Sequence, residues 1–194
     1  MKSRGGRVIH VSTDYVFNGK ASIPYKEDAR PNPAGVYGTT KRQGEQALLK
    51  ALPDAIILRT SWLYSEDGHN FVRTMLRLGQ EQEEVSVVYD QVASPTWAGD
   101  LAETILRMVW DGLQTDGRSI FHYANEGVAS WYDLAVAVME IAELDCRVRP
   151  VRSAEYPRPA PRPAYSVLDK TLIKDTFGRV LSSTLYAGRG AGRG

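Results

Sequence analysis

Two residues four positions apart, Tyr37 and Lys41, are the first candidates for chemistry in this sequence. Residues with this spacing share one face of a helix, and residues 35–52 have a helical pattern that ends at Pro53. A phenol beside an ammonium group can move a proton on or off the oxygen of a sugar or an alcohol. Taken alone the pair is weak evidence for catalysis, because two exposed residues with no function can have the same four-residue spacing on a helix surface.

Polar side chains follow two short apolar runs of the strand type. The run at residues 8–11 stops at the polar cluster of residues 12–14, as a buried parallel strand does where it ends at a ligand crevice. The run at residues 55–59 ends in the polar and aromatic cluster of residues 60–64. Two such strands joined by the helix at residues 35–52 predict a βαβ unit with a parallel sheet.

Helices and strands alternate along the rest of the chain, which predicts an α/β fold. The expected helices cover residues 70–78, 100–113, 130–144 and 169–177, and the expected strands cover residues 85–89, 119–123 and 146–151. The apolar stripe expected to pack the first helix on the sheet consists of Val36, Thr40, Ala47, Leu48 and Leu52. Trp131 and Met139 lie on helical spacings and are predicted to belong to the core. The proline-rich span at residues 156–165 should wrap a surface or line a cleft.

Charge and composition exclude several classes of function. The 24 basic and 23 acidic residues give a formal charge of +1, so no broad field would attract nucleic acid or an anionic membrane. Cys146 is the only cysteine, which excludes an internal disulfide and fits a reducing cytoplasm. No apolar run reaches membrane-spanning length, and no two of the three histidines share metal-ligand spacing. We therefore expect a cytoplasmic protein with no metal site and no nucleic-acid or membrane partner.

The polar strand ends and the Tyr–Lys pair occur within a longer series of short motifs. These are residues 12–17 (Ser-Thr-Asp-Tyr-Val-Phe), 37–41 (Tyr-Gly-Thr-Thr-Lys), 59–62 (Arg-Thr-Ser-Trp), 70–72, 90–91, 94–96 and 162–169. In these motifs the chain resembles the extended short-chain dehydrogenase/reductases, and within them the dTDP-4-dehydrorhamnose reductase family. The resemblance implies a partial Rossmann-like parallel sheet with a smaller α/β substrate-binding portion. It also implies reduction of dTDP-4-dehydro-L-rhamnose to dTDP-L-rhamnose with NADPH, or NADH, as cofactor.

The resemblance also implies a role for each matching residue. Tyr37 would protonate the C4 keto oxygen, and Lys41 would favour the phenolate form and hydrogen-bond the nicotinamide ribose, so both would be catalytic and cofactor-binding. Thr13 would be catalytic and substrate-binding, through a hydrogen bond to the sugar oxygen. The remaining residues expected to bind the substrate are Asp14, Trp62, Asn70, Gln91 and Arg162.

The sequence departs from the family pattern in one important respect. The family's fold begins with a strand, a glycine-rich turn and a helix that hold the cofactor pyrophosphate, and no such turn occurs in these 194 residues. Without that half, the strand at residues 8–11 would expose a sheet edge, which can pair with another chain. We therefore expect a homo-oligomer formed through this edge, a truncated gene product, or a fragment of limited solubility.

Domain boundaries follow from the same interpretation. Residues 1–125 would form the partial Rossmann-like catalytic portion with interleaved substrate-binding segments, residues 126–180 the main substrate-binding portion, and residues 181–194 a disordered Gly/Arg tail. Two alternatives to the reductase stay open. One is a related nucleotide-sugar epimerase or dehydratase, and the other is a non-catalytic binding subunit, since the regulatory subunit of methionine adenosyltransferase is similar to this family.

Overall fold

A computed structural model describes residues 6–156, 160 and 162–178 of the chain. The predicted Gly/Arg tail at residues 181–194 lies outside the described residues. The helices are α1 (Val36–Ala51), α2 (Phe71–Glu81), α3 (Ala98–Trp110), α4 (Trp131–Ile141) and α5 (Thr171–Phe177). The strands are β1 (Ile9–Thr13), β2 (Ile56–Thr60), β3 (Leu63–Tyr64), β4 (Glu84–Val88), β5 (Val92–Ala93), β6 (Thr96–Trp97), β7 (Ile120–His122), β8 (Ala129–Ser130) and β9 (Arg147–Val151). The predicted α/β class is confirmed.

The main sheet has the strand order β1-β2-β7, and all its strands are parallel, as predicted. Thr13 pairs with Thr60 at the carboxyl ends of β1 and β2, so the polar clusters that follow these strands lie side by side. Every residue of β2 is buried, because this central strand is covered on both faces.

The first hydrophobic core lies between the main sheet and helices α3 and α5. Its buried members are Ile56, Leu58, Leu101, Met108, Phe121, Tyr123 and Ile173. The ring of Phe177 at the end of α5 packs edge-on against Phe121, with 5.4 Å between ring centroids. This packing fixes the position of β2, and therefore of the polar residues that follow it.

Helix α1 was predicted to pack on the sheet through an apolar stripe, and this prediction is wrong. Val36 at its start is 81% exposed, and Thr40 and Ala47 are also exposed. The buried residues of α1 are Gly38 and Glu45. The reason is that the sheet surface under α1 presents Arg59 and the Ser12 hydroxyl, so a carboxylate satisfies it better than an alkyl chain.

A second hydrophobic core lies between α2, α4 and the parallel pair β4-β9. Its buried members are Met75, Val85, Val87, Ala135, Val138, Met139 and Cys146. Met139 is therefore a core residue, as predicted. The core combines segments from residues 71–88 and 131–151, so two stretches of sequence build it together. The division of the chain after residue 125 stays a prediction.

Short strand pairs connect the two cores. β3 and β6 are parallel, whereas β5 and β8 form an antiparallel pair that the sequence did not predict. Helix α4 ends at Ile141, shortly before the predicted end at residue 144. Among the described residues, no helix is both long and apolar enough to cross a membrane.

Candidate active site

A cavity of about 950 Å³ opens at the carboxyl ends of β1 and β2, between the two hydrophobic cores. Seven of the eight residues predicted to act on a substrate or cofactor line it. They are Thr13, Asp14, Tyr37, Trp62, Asn70, Gln91 and Arg162. The eighth residue, Lys41, lies beside β1 and does not line the cavity. This location is the usual ligand site of a parallel α/β sheet.

The turn that follows β1 brings Thr13 and Asp14 into the cavity wall. The Thr13 hydroxyl accepts a hydrogen bond from the backbone N–H of Tyr15 at 3.2 Å and donates one to Asp14 Oδ1 at 3.0 Å. Burial raises the pKa of Asp14 to about 6, although hydrogen bonds from the Ser166 and Thr13 hydroxyls oppose the rise. Asp14 Oδ2 is buried and has no hydrogen-bond partner of normal geometry among the described residues. This carboxyl group can therefore accept one further hydrogen bond from a ligand.

Tyr37 lies at the start of α1, at the mouth of the cavity. Its side chain is 56% exposed, and its ring packs edge-on against Tyr15 with 5.7 Å between ring centroids. Gly38 makes this approach possible, because a Cβ atom at this position would lie 2.1 Å from the carbonyl oxygen of Tyr15. A glycine at the start of α1 thus brings the phenol next to the Thr13 turn.

Lys41 lies one helical turn after Tyr37, as the spacing predicted. Its Nζ donates a hydrogen bond to the carbonyl oxygen of Val11 on β1 at 2.8 Å. The side chain is only partly buried, so its ammonium group keeps access to solvent beside the strand. Tyr37 and Lys41 together present a hydroxyl and a cation next to the end of β1.

Glu45, one further turn along α1, is a residue that the sequence interpretation missed. It is fully buried and receives hydrogen bonds from Ser12 Oγ at 2.6 Å, from Arg59 Nε at 2.9 Å and from Arg59 Nη2 at 2.8 Å. Burial would raise the pKa of Glu45, but the hydrogen bonds and charge of Arg59 outweigh burial, so the pKa is lowered. The four-residue spacing from Tyr37 through Lys41 was the signal that could have found it.

Arg59 extends this network to the third strand of the sheet. Its Nη1 lies 3.5 Å from His122 Nε2, and the other ring nitrogen of His122 lies 3.0 Å from the carbonyl oxygen of Tyr25. Burial, together with the positive charge of Arg59, lowers the pKa of His122 to about 3. The imidazole is therefore neutral, and the network joins α1 to all three strands of the main sheet.

Trp62 and Trp131 form a stacked pair in the cavity wall. Their rings lie 3.5 Å apart between centroids with an angle of 10° between the planes. The guanidinium carbon of Arg162 lies 5.9 Å from the centroid of the Trp131 ring. Trp131 was predicted to be a core residue, and it does pack against the second core, but it is only half-buried and also lines the cavity. As the first residue of α4, it faces the gap between the cores.

Asn70 and Gln91 both line the cavity, but they differ in whether their hydrogen-bonding atoms already have partners. Asn70 caps α2: its Oδ1 accepts a hydrogen bond from the backbone N–H of Arg73 at 3.0 Å, and its Nδ2 donates one to the carbonyl of Ser65 at 2.8 Å. Gln91 donates from Nε2 to Ser153 Oγ at 2.8 Å. The buried Oε1 of Gln91 has no hydrogen-bond partner among the described residues. Gln91 is thus the better placed of the two to bind a ligand, whereas the Asn70 side chain stabilises a helix end.

The described residues that line this cavity do not include a group that could hold a metal ion. Within the part of the chain that the structure describes, no three His, Cys, Asp or Glu residues lie close enough together to hold a metal ion. The polar groups that line the cavity are hydroxyls, carboxyls, side-chain amides, an imidazole and a guanidinium, and the Lys41 ammonium lies nearby, beside β1. Such a set can bind and protonate an oxygen-rich organic molecule.

Comparisons with known proteins agree with this architecture. A probable dTDP-4,6-dihydroxy-2-methyloxan-3-one 4-ketoreductase of Streptomyces antibioticus is 50% identical over 83% of this chain and 54% of its own length. A dTDP-4-dehydrorhamnose reductase of Sinorhizobium fredii is 45% identical over 90% of this chain and 61% of its own length. The crystal structure of the Bacillus anthracis dTDP-4-dehydrorhamnose reductase in complex with NADP superposes with a TM-score of 0.88 at 36% identity, covering 95% of this chain and 64% of that one.

The fold and the site define an α/β protein with a partial Rossmann-like parallel sheet and a ligand cavity at its strand ends. The family model described as "RmlD substrate binding domain" matches residues 1–186, and the chain belongs to this family. The chain spans about three fifths or less of the length of the two curated relatives described above.

Proposed function

We propose that this chain carries the sugar-nucleotide half of an NADPH-dependent reductase that converts dTDP-4-dehydro-L-rhamnose to dTDP-L-rhamnose. The observation that carries the proposal is the convergence of Thr13, Tyr37 and Trp62 on one cavity at the strand ends. A volume of about 950 Å³ is large enough for a nucleotide sugar. Chains about 45 to 50% identical over most of this sequence carry the names of 4-ketoreductases of dTDP-sugars, which supports the same reaction.

The cavity offers separate contacts for the parts of such a substrate. The aromatic face of Trp62 suits the apolar face of a deoxysugar, and the guanidinium of Arg162 suits a diphosphate. The unpartnered Oδ2 of Asp14 and Oε1 of Gln91 can accept hydrogen bonds from sugar or base N–H and O–H groups. Asn70 contributes less, because its amide already caps α2.

Tyr37 would donate the proton to the keto oxygen. Its hydroxyl stands at the mouth of the cavity, next to the turn that holds Thr13. The Thr13 hydroxyl would turn its one proton from Asp14 Oδ1 to the same oxygen and stabilise the negative charge that develops there. The Lys41 ammonium, held beside β1, stabilises the phenolate that remains after the proton has left.

The cofactor would supply the hydride that reduces the carbonyl carbon. Tyr37 and Lys41 fit the nicotinamide end of this cofactor, because their hydroxyl and ammonium groups can hydrogen-bond a ribose at the strand ends. A glycine-rich turn for the pyrophosphate does not occur in this sequence. We therefore assign only the nicotinamide ribose to residues of this chain, with NADPH as the preferred cofactor and NADH as the alternative.

The test is a titration of the purified chain with dTDP-L-rhamnose, followed by an assay of NADPH oxidation with dTDP-4-dehydro-L-rhamnose. We expect saturable sugar-nucleotide binding and an oxidation rate that Tyr37→Phe lowers at least a hundredfold. Tyr132→Phe, which removes a phenol hydroxyl from the second core, is the matched control and should keep the rate. Failure of the chain to bind the sugar nucleotide would refute the proposal. Binding of the sugar nucleotide without NADPH oxidation would support the substrate site and show that this chain does not by itself hold the cofactor.

We also propose that two copies associate through the edge of β1. In the described residues β1 pairs with β2 on one side, and no strand covers its other side. An open strand edge offers unpaired N–H and C=O groups to another chain. Light scattering after size exclusion should give a mass near twice 21.5 kDa, and a monomer mass at all concentrations would contradict the association.

The cytoplasm is the compartment we propose for this protein. Cys146 is a free, buried thiol in the second core, which fits a reducing environment. Fractionation of cells that express the tagged protein tests this location, and enrichment with secreted or membrane material would contradict it.

A further inference from the structure

We propose that Trp131 is a positioning residue of the substrate site, which holds Trp62 and Arg162 together in a Trp62–Trp131–Arg162 stack in the cavity wall. The proposal rests on the proposed function and deepens it, because it assigns the part of the site that recognises the junction between an apolar sugar face and an anionic group. The proposal rests on the positions of these three side chains. The Trp62 ring lies flat against the Trp131 ring with 3.5 Å between centroids, and the Arg162 guanidinium carbon lies 5.9 Å from the centroid of the same Trp131 ring.

Trp131 is held rigidly at the start of α4. Ser130 caps this helix, since its Oγ accepts from the backbone N–H of Asp133 at 3.0 Å while the Asp133 carboxylate accepts from the backbone N–H of Ser130 at 2.8 Å. Ser130 also pairs with Val92 in the β5-β8 ladder. The backbone of Trp131 is therefore fixed on both sides, and the ring of Phe71 packs against it at 4.6 Å between centroids.

Trp62, in contrast, depends on Trp131 for its position. Its backbone has a φ of +44°, a left-handed conformation that a bulky residue adopts only when packing holds it there. The residue follows the last residue of β2 by two positions, and its ring stacks on Trp131, which packs against the second core. The flat contact with Trp131 supplies the packing that this backbone conformation needs.

The Trp131 ring also positions the Arg162 side chain. The side chain is exposed and comes from the proline-rich span. A guanidinium at this distance from an indole is attracted by the ring quadrupole, which keeps the cation over the cavity wall. One indole thus orients both an apolar surface and a cation. A deoxysugar linked to a diphosphate presents an apolar face next to an anion, which is the chemistry that this stack would recognise.

Isothermal titration of the full chain with dTDP-L-rhamnose tests the proposal. We expect Trp131→Ala to weaken binding roughly five- to tenfold and Trp131→Phe, which keeps an aromatic ring, to weaken it less than about threefold. Trp110→Ala is the matched control, because Trp110 is 92% exposed on α3, outside the cavity lining, and its loss should leave affinity unchanged. Arg162→Gln should lower both the affinity and its dependence on salt concentration.

Near-ultraviolet circular dichroism supplies a readout that does not depend on ligand. Two indoles stacked at 3.5 Å should give a coupled signal that Trp131→Ala and Trp62→Phe each abolish and Trp110→Ala keeps. Equal affinity of wild type and Trp131→Ala for dTDP-L-rhamnose would overturn the inference while the proposed function stands. Absence of binding by the wild-type chain would overturn the proposed function and this inference with it. A folded Trp131→Ala variant is identified by a cooperative urea-unfolding transition, because the coupled indole signal also contributes to the far-ultraviolet spectrum.

Discussion

Asp14 shows how burial changes the chemistry of one side chain. Its carboxyl group follows Thr13 in the wall of the cavity, and burial raises its pKa from 3.8 to about 6. Near neutral pH the group is mostly ionised, and in mildly acidic solution it becomes neutral. A neutral carboxyl can donate a hydrogen bond as well as accept one, so the polarity of the cavity wall changes over this range.

The raised pKa of Asp14 makes a prediction about stability. Because the folded state holds its proton more tightly than the unfolded state, this residue lowers the free energy of unfolding as pH rises from about 4 to 6. Asp14→Asn removes the effect, so the variant should gain stability relative to wild type over this range, by about 3 kcal/mol at most. Urea denaturation at several pH values measures the difference, and a difference that is constant with pH would contradict the prediction.

Helix α1 positions Tyr37 and Lys41 through two buried residues, one glycine and one glutamate. Neither belongs to the apolar stripe that the sequence predicted: Glu45 faces the main sheet, and Gly38 faces the turn at Tyr15. The consequence is that small changes on this face should displace the whole helix, and with it the phenol of Tyr37. Each of the two residues can be tested with a matched variant.

For Gly38 the comparison is with Gly44 on the same helix. A Cβ at Gly38 would lie 2.1 Å from the carbonyl oxygen of Tyr15, whereas a Cβ at Gly44 would meet no atom within 4 Å. We expect Gly38→Ala to lower the free energy of unfolding by about 1–3 kcal/mol and Gly44→Ala to raise it by about 0.5–1 kcal/mol. Thermal and urea unfolding of both variants measure these changes. Equal effects of the two substitutions would show that the close approach is unimportant.

For Glu45 the comparison is with Glu103, whose ion pair with Arg107 is exposed on α3. Glu45→Gln leaves the buried guanidinium of Arg59 without a negative partner, which should cost about 3 kcal/mol or more of stability. Glu103→Gln should cost less than about 1 kcal/mol, because solvent screens a surface pair. Urea denaturation at pH 7 compares them, and a small loss for Glu45→Gln would mean that water reaches Arg59.

At the scale of the whole molecule, the first and second hydrophobic cores are built from interleaved segments and lie on either side of the cavity. Residues 71–88 and 131–151 form the second core, segments before, between and after them form the first, and Val16, Phe17 and Leu168 form a smaller third cluster. The buried ionic network joins α1 to every strand of the main sheet, and the stacked tryptophans cross from one core to the other. A substitution at either location should therefore affect both the cavity and the global stability.

The neutral, buried His122 should make the free energy of unfolding depend on pH in acidic solution. Its pKa is lowered to about 3 in the folded state, whereas the unfolded state takes up a proton near the ordinary value of 6.5. The unfolded state thus binds more protons below this value, and the free energy of unfolding should fall as pH falls from about 6.5 towards 3. His122→Gln should flatten this acid limb in urea denaturation, and an equally steep limb in the variant would contradict the assignment.

The sequence by itself determined which segments line the cavity. Alternation of apolar runs and helical patterns predicted the parallel sheet, and the polar residues after residues 8–11 and 55–59 marked the cavity edge. The four-residue spacing placed Tyr37 and Lys41 on one helix face, and the Asn70 cap was found where expected. These features are local or periodic, so a single sequence contains them.

Only the tertiary structure decided what each side chain packs against. It buried Glu45 of α1 because Arg59 of β2 and Ser12 of β1 meet its carboxylate there, and it left Val36 exposed. It brought Trp131 to Trp62, which lies sixty-nine positions earlier, and so made a cavity wall from a predicted core residue. Such contacts join residues distant in sequence, and their energy depends on the partner, which no local pattern specifies.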